Sequence, residues 1–133
     1  MRKKQVIILL VLMAVIIGGY FGGRYYFDLR TYRDQVANIT ITDIDFSKVE
    51  DGTYIGSYEI MWVGAEVKVT VNNHKIEGIE LLKHKNGRGS PAEIIPSKVV
   101  EAQSLEVDVV SGATSSSKVI LKAIENAINS SPI

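Results

Sequence analysis

The sequence contains no cysteine. That single absence excludes disulfides, cysteine-ligated zinc, iron–sulfur clusters and thioether-linked haem. Only two histidines occur, His74 and His84, too few for a multi-histidine metal site. Redox chemistry in this chain would therefore need an organic cofactor. Net charge is missing too, because 15 basic and 15 acidic residues cancel. Three of the basic residues, Arg2, Lys3 and Lys4, precede an apolar run, which leaves 15 − 3 = 12 basic residues against all 15 acids. A mildly acidic remainder lacks the basic face that phosphate backbones require, so no nucleic-acid partner is expected. The sequence offers no nucleophile–base pairing or carboxylate dyad, and no catalytic residue is assigned from it. Internal repeats and low-complexity tracts are also absent.

What the sequence does have is a stretch without charge, Val6 to Gly23. At 1.5 Å per residue its 18 residues span roughly 27 Å, close to the ~30 Å hydrocarbon core of a bilayer. Tyr20, Tyr25 and Tyr26 fall where aromatic side chains favour the membrane interface. A cleavable signal peptide also begins with a basic cluster, but the exit Gly-Gly-Tyr-Phe-Gly-Gly-Arg has no A-x-A pattern. An uncleaved anchor is therefore expected over residues 1–23, followed by a juxtamembrane stalk over 24–50. The basic cluster at Arg2–Lys4 outweighs Arg24, Arg30 and Arg33, which Asp28 and Asp34 dilute. This bias predicts a cell-membrane protein with a cytoplasmic N-terminus and its domain on the extracytoplasmic side.

Residues 51–133 read as one small domain. Ile39 and Ile41 alternate with Thr40 and Thr42 as a short strand or extended linker before it. Tyr54, Gly56 and Tyr58 then alternate with Ile55, Ser57 and Glu59, and Val67, Val69 and Val71 with Lys68, Thr70 and Asn72. Period two marks half-buried strands. Asn72-Asn73-His74 reads as a turn, and Ile76 to Lys85 as a third antiparallel strand. Ser90-Pro91-Ala92-Glu93 has the form of a helix start, with Ala92, Ile95, Val99 and Ala102 on one face and Pro96 as a kink or division. A second helix is predicted from Thr114 to Ile128, its stripe made by Val119, Ile120, Ala123, Ile124, Ala127 and Ile128. Strands first and helices later predict an α+β fold, an antiparallel sheet with helices packed on it, preceded by one N-terminal transmembrane helix.

The chemistry concentrates in Asp108-Val-Val-Ser111-Gly112-Ala113-Thr114. A β-like stretch, Leu105 to Val110, turns at a glycine-bearing corner into a Ser/Thr-rich helix start. Backbone N–H groups left unpaired in a first helical turn, together with the helix dipole, favour an anion. Gly112 and Ala113 leave room for a phosphate, and Ser115, Ser116 and Ser117 add hydroxyl donors. The same cluster serves equally well as plain helix capping. The residues by themselves leave both readings open.

The segment DVVSGATSSSKVILKAIENAI resembles the signature of the FMN-binding domain family, which includes flavinylated subunits of sodium-pumping and Rnf-type respiratory complexes and small exported flavoproteins. The family pattern is Asp, two residues, Ser/Thr-Gly-Ala-Thr, and every specified position is matched. The resemblance extends through DGTYIGSY and IEGIELLKHKNGRG, roughly residues 50 to 130. It implies FMN held by a phosphoester bond to Thr114, attached by a flavin transferase with FAD as donor. It also implies cofactor-binding roles for Ser111, Gly112, Ala113, Ser115, Asp108 and His84. Asp108 would position the loop through backbone N–H bonds or guide the transferase. His84, Gly87 and Gly89 would form a loop near the flavin, and Met61 and Trp62 are candidates to cover its ring. A solvated polar turn closing the sheet is an equal reading of His84 and the simpler one of Lys83, Lys85 and Arg88, and core packing is the simpler reading of Met61 and Trp62. Tyr54 and Tyr58 are expected to pack on the sheet. The expected function is a membrane-anchored electron carrier served by a membrane reductase or quinone-linked complex. An accessory or sensor subunit of such a complex, or an unmodified anchor domain, are the alternatives.

Overall fold

The computed structural model describes residues 2–85 and 89–132. The chain divides into two units, residues 1–35 and 36–133. The first is helical: α1 runs Lys3–Ala37 without interruption and buries none of its residues. Nothing in Val6–Gly23 breaks it, because glycine costs a helix only about 1 kcal/mol apiece and no proline intervenes. It is the one helix among the described residues long and apolar enough to cross a membrane. The expected stalk from residue 24 begins as its continuation.

The second unit carries three antiparallel strands, β1 (Gly52–Ile60), β2 (Val63–Asn72) and β3 (Lys75–Lys85), in the order β1-β2-β3. Helix α2 (Ile95–Ala102) packs on β3, and α3 (Thr114–Ile128) packs across β1 and β2. The alternation read from the sequence is realised. Tyr54, Val67, Val69 and Val71 are buried against the helical layer, while Ile55, Ser57 and Glu59 face outward. The α3 stripe from Val119 to Ile128 is buried as predicted, and it extends to Leu121, Ser116, Ser117 and Glu125. Glu125 is tolerated there because Lys122 Nζ lies 2.9 Å from its Oε2.

Of the two readings of residues 39–42 the linker holds, for they form no strand and lead to a 3-10 turn at Phe46–Lys48. Three details depart from the sequence reading. Ser90 does not cap a helix: Ser90–Ile94 is a 3-10 turn, and α2 starts afresh at Ile95 just before Pro96, which divides the segment as anticipated. Ala102 is exposed at the end of α2 rather than part of its buried face. Leu105–Val110 forms no strand, because side chains take the bonds a ladder would use. Asp43 Oδ1 accepts from Leu105 N–H at 2.9 Å, and Ser104 Oγ from Glu106 N–H at 2.9 Å.

The β2–β3 connection is a two-residue turn in which Asn73 and His74 both have positive φ, 53° and 59°. Such a turn matches the twist of the flanking strands and usually employs glycine. Here His74 is held in place by Asp51 Oδ1, which accepts its N–H at 2.9 Å, and by a 2.8 Å contact between its Nδ1 and the Val49 carbonyl.

Candidate functional site

Helix α3 lies antiparallel to β1. Ser130 Oγ bonds the carbonyl of Ile55 and Asn126 Nδ2 that of Ser57, while Gly56 faces Ala127 and Ala123. From Ala123 to Thr114 the helix climbs about 13 Å, and from Gly56 to Ile60 the strand advances about 13 Å. Thr114 therefore reaches the sheet end that carries the Met61–Trp62 turn. The C-terminal end of β3 arrives there too, since Lys85 pairs with Gly64 and His84 with Ala65. Thr114, Met61, Trp62, His84 and Lys85 thus share one end of the domain. The His74 turn occupies the other.

At this end the start of α3 is unusually open. Its N-cap is Ala113, which supplies no side-chain cap. Alanine is among the poorest N-cap residues. The first bond into the helix is Ser117 N–H to Ala113 C=O at 2.9 Å, and the N–H groups of Thr114, Ser115 and Ser116 have no backbone acceptor among the described residues. Three donors at the positive end of a helix dipole are an arrangement that favours an anion. Thr114 and Ser111 are exposed and Ser115 is half-buried, whereas Ser116 and Ser117 are buried. Of the three serines read as hydroxyl donors, only Ser115 reaches the surface. Gly112 has φ +81°, a left-handed value that favours glycine, and a methyl group there would meet nothing within 4 Å. The corner at Gly112 is open, whereas Ala113 beside it is buried.

The remaining site residues are placed as follows. The Asp108 carboxylate accepts no hydrogen bond among the described residues. Its backbone carbonyl lies 3.5 Å from Lys98 Nζ. The loop is braced by Ser117, whose Oγ accepts from Val110 N–H at 3.0 Å and donates to the Ala113 carbonyl at 2.7 Å. His84 is turned inward by a register shift in β3, where Val67 pairs with Leu81 but Glu66 with Lys83, leaving Leu82 as the extra residue. Bulges re-aim side chains in this way. The His84 side chain is 3% exposed, with Nδ1 3.0 Å from Glu93 Oε1. This pair ties the end of β3 to the 3-10 turn that packs on α3. No hydrogen bond joins His84 to the Thr114 corner among the described residues. Lys85 Nζ is 3.7 Å from Glu59 Oε1 at the surface, and Lys83 is exposed. Gly89 is buried, and the calls on Gly87 and Arg88 lie outside the described residues. Met61 is half-buried and Trp62 is 39% exposed, so the tryptophan is not core. A shallow groove of about 290 Å³, flanked by Tyr58, Glu66, Lys83 and Lys85, opens at the same end. Among the described residues no cluster of His, Cys, Asp or Glu is arranged to hold a metal ion.

The sequence model of the FMN-binding domain family matches residues 61–129. That interval takes in the Met61–Trp62 turn, His84 and the whole Asp108–Thr114 segment. The chain is also similar to an NADH:acrylate oxidoreductase of Vibrio harveyi, 39% identical over 66 residues, which are 47% of this chain and 7% of that protein. An uncharacterized protein of Treponema pallidum (strain Nichols) is 31% identical over 85 residues, 62% of this chain and 24% of its own length. The chain therefore spans less than a quarter of either relative.

Proposed function

The chain belongs to the FMN-binding domain family, and on that premise we propose that it is an electron carrier holding FMN as a phosphoester of Thr114. The observation that carries this reading is the exposed Thr114 hydroxyl at an uncapped helix start, inside an intact Asp-x-x-Ser-Gly-Ala-Thr segment. The residues fit the phosphate end of the cofactor. The N–H groups of Thr114 to Ser116 would neutralise phosphate charge, Gly112 leaves the approach clear, and Ser115 offers a further donor. Bound FMN supplies one- and two-electron chemistry that no side chain here can. Met61, Trp62 and the groove beside Lys83 and Lys85 are the surfaces at this end against which an aromatic ring can rest.

Attachment would follow a simple exchange on a flavin transferase. The Thr114 Oγ attacks the FMN-side phosphorus of FAD, the pyrophosphate bond breaks, AMP leaves and the hydroxyl proton is released. No electron changes hands. Helix α1 would anchor the chain in a membrane with the domain on the extracytoplasmic side. There the ester makes retention independent of affinity and leaves the ring exposed for electron exchange with a membrane reductase or quinone-linked complex. Because the chain corresponds to a small part of its relatives, a second reading is a flavin-bearing module within a larger redox assembly. Co-expression with a flavin transferase tests attachment. In-gel flavin fluorescence that survives denaturation is expected for the native sequence and for Ser111→Ala, and its persistence in Thr114→Ala would sink the assignment.

A further inference from the structure

Ser117 is fully buried, yet its hydroxyl belongs to neither the hydrophobic core nor the cofactor-facing surface. It sits inside the turn that delivers the acceptor. Its Oγ takes the Val110 N–H at 3.0 Å on one side and gives its proton to the Ala113 carbonyl at 2.7 Å on the other. The same Ala113 carbonyl receives the Ser117 N–H at 2.9 Å, and Ala113 N–H closes the turn onto the Val110 carbonyl at 2.9 Å. Val110 and Ala113 bracket Ser111 and Gly112, and Thr114 follows directly. All four bonds therefore converge on the two residues that fix where the Thr114 hydroxyl points. Among the described residues the Asp108 carboxylate makes no such bond, and the carboxylate of Asp43 acts at the far end of the segment, on Leu105.

We infer that Ser117 is a positioning residue for flavinylation: it holds the Val110–Ala113 turn so that Thr114 Oγ is presented for attack on the FAD phosphorus. The inference rests on the reading of Thr114 as the acceptor. Its physical basis is that an in-line displacement requires a nucleophile held in one orientation, and small misplacements are costly. About 1 Å can cost a hundredfold. Without the hydroxyl, Val110 N–H loses its acceptor and the turn can open into other conformers. The helix itself survives, because the Ser117 backbone bond to Ala113 does not depend on the side chain.

The test is single-turnover flavinylation of the full chain in detergent with a flavin transferase and FAD, read by mass. Ser117→Ala is expected to lower the rate at saturating FAD by about tenfold or more, while the FAD concentration for half-maximal rate stays unchanged. Ser117→Thr, which keeps the hydroxyl, should retain most of the rate. Val69→Ala, a core change on β2 far from the turn, supplies a protein destabilised by other means, and it should react at the native rate. A Ser117→Ala rate within twofold of native overturns the inference, as does equal slowing of Ser117→Ala and Val69→Ala, or a folded Ser117→Thr protein as slow as Ser117→Ala. Failure of the native chain to gain mass would instead overturn the acceptor assignment itself.

Discussion

Replacing Gly56 by alanine would set a methyl group into the backbone of another element. A Cβ built at Gly56 lies 2.2 Å from Ala127 N, 2.5 Å from Ala123 O and 2.5 Å from Ala127 Cα. Reaching an ordinary 3.4 Å contact requires β1 and α3 to part by 3.4 − 2.2 = 1.2 Å. Neither neighbour is a flexible side-chain tip, so neither can swing aside. The separation also strains the Asn126–Ser57 and Ser130–Ile55 bonds and loosens Ile120 and Ile124 from the sheet. Overpacking a core with yielding side chains costs about 1–3 kcal/mol, so backbone on both sides sets the expectation at about 3 kcal/mol or more. Alanine returns roughly 0.5–1 kcal/mol through reduced chain entropy, which does not reverse the sign. For a domain of this size each kcal/mol moves the midpoint by about 4–8 °C, giving a drop of about 10 °C or more. Thermal unfolding of the detergent-solubilised chain, followed through Trp62, measures it. Ser57→Ala, on the outer face of the same strand, should change little. A Gly56→Ala midpoint equal to that of Ser57→Ala would refute the packing of α3 on β1.

Trp62 is the chain's one tryptophan and shares the Thr114 end, so flavinylation should remove most of its fluorescence, and unchanged emission in the loaded protein would put the ring on another surface. Burial alone would raise the Asp43 carboxyl, but bonds from Leu105 N–H, Ser104 Oγ and Ile44 N–H outweigh it and hold the group below its ordinary 3.8. A depressed folded value means its contribution is full above 3.8 and is lost as pH falls below that, so Asp43→Asn should lower the midpoint at pH 7 and narrow its gap to the native chain at pH 3, as a paired pH series of melts would read. The uncharged run Val6–Gly23 predicts a protein that stays with membranes, and protease added to cells with a permeable wall should remove the domain; full protection would contradict the outward orientation.

Much of this architecture is legible because hydrophobic period and burial coincide. The Val67–Val69–Val71 alternation and the Val119–Ile128 stripe each admit one amphipathic element, and each is where the pattern puts it. The Asp108–Thr114 motif is legible because its residues are contiguous. What escapes the sequence is non-local. His84 faces inward because Leu82 is an extra residue in the β2–β3 register, which no period-two pattern of β3 reveals. Glu93 reads as part of a helix start but meets His84 across the sheet end. Leu105–Val110 has strand-like composition, yet Asp43, some 60 residues earlier, claims its first N–H. Ser117 looks like one more polar residue at a helix start, and only the closed turn shows that its hydroxyl is spent internally.

The most direct measurement of the central claim is the intact mass of the full chain purified from its own host, with fragmentation to locate any addition. A gain of FMN less water, confined to Thr114, is the predicted result. An unmodified mass in a host with an active flavin transferase, or an addition at Ser111 or Ser115 instead, would contradict it.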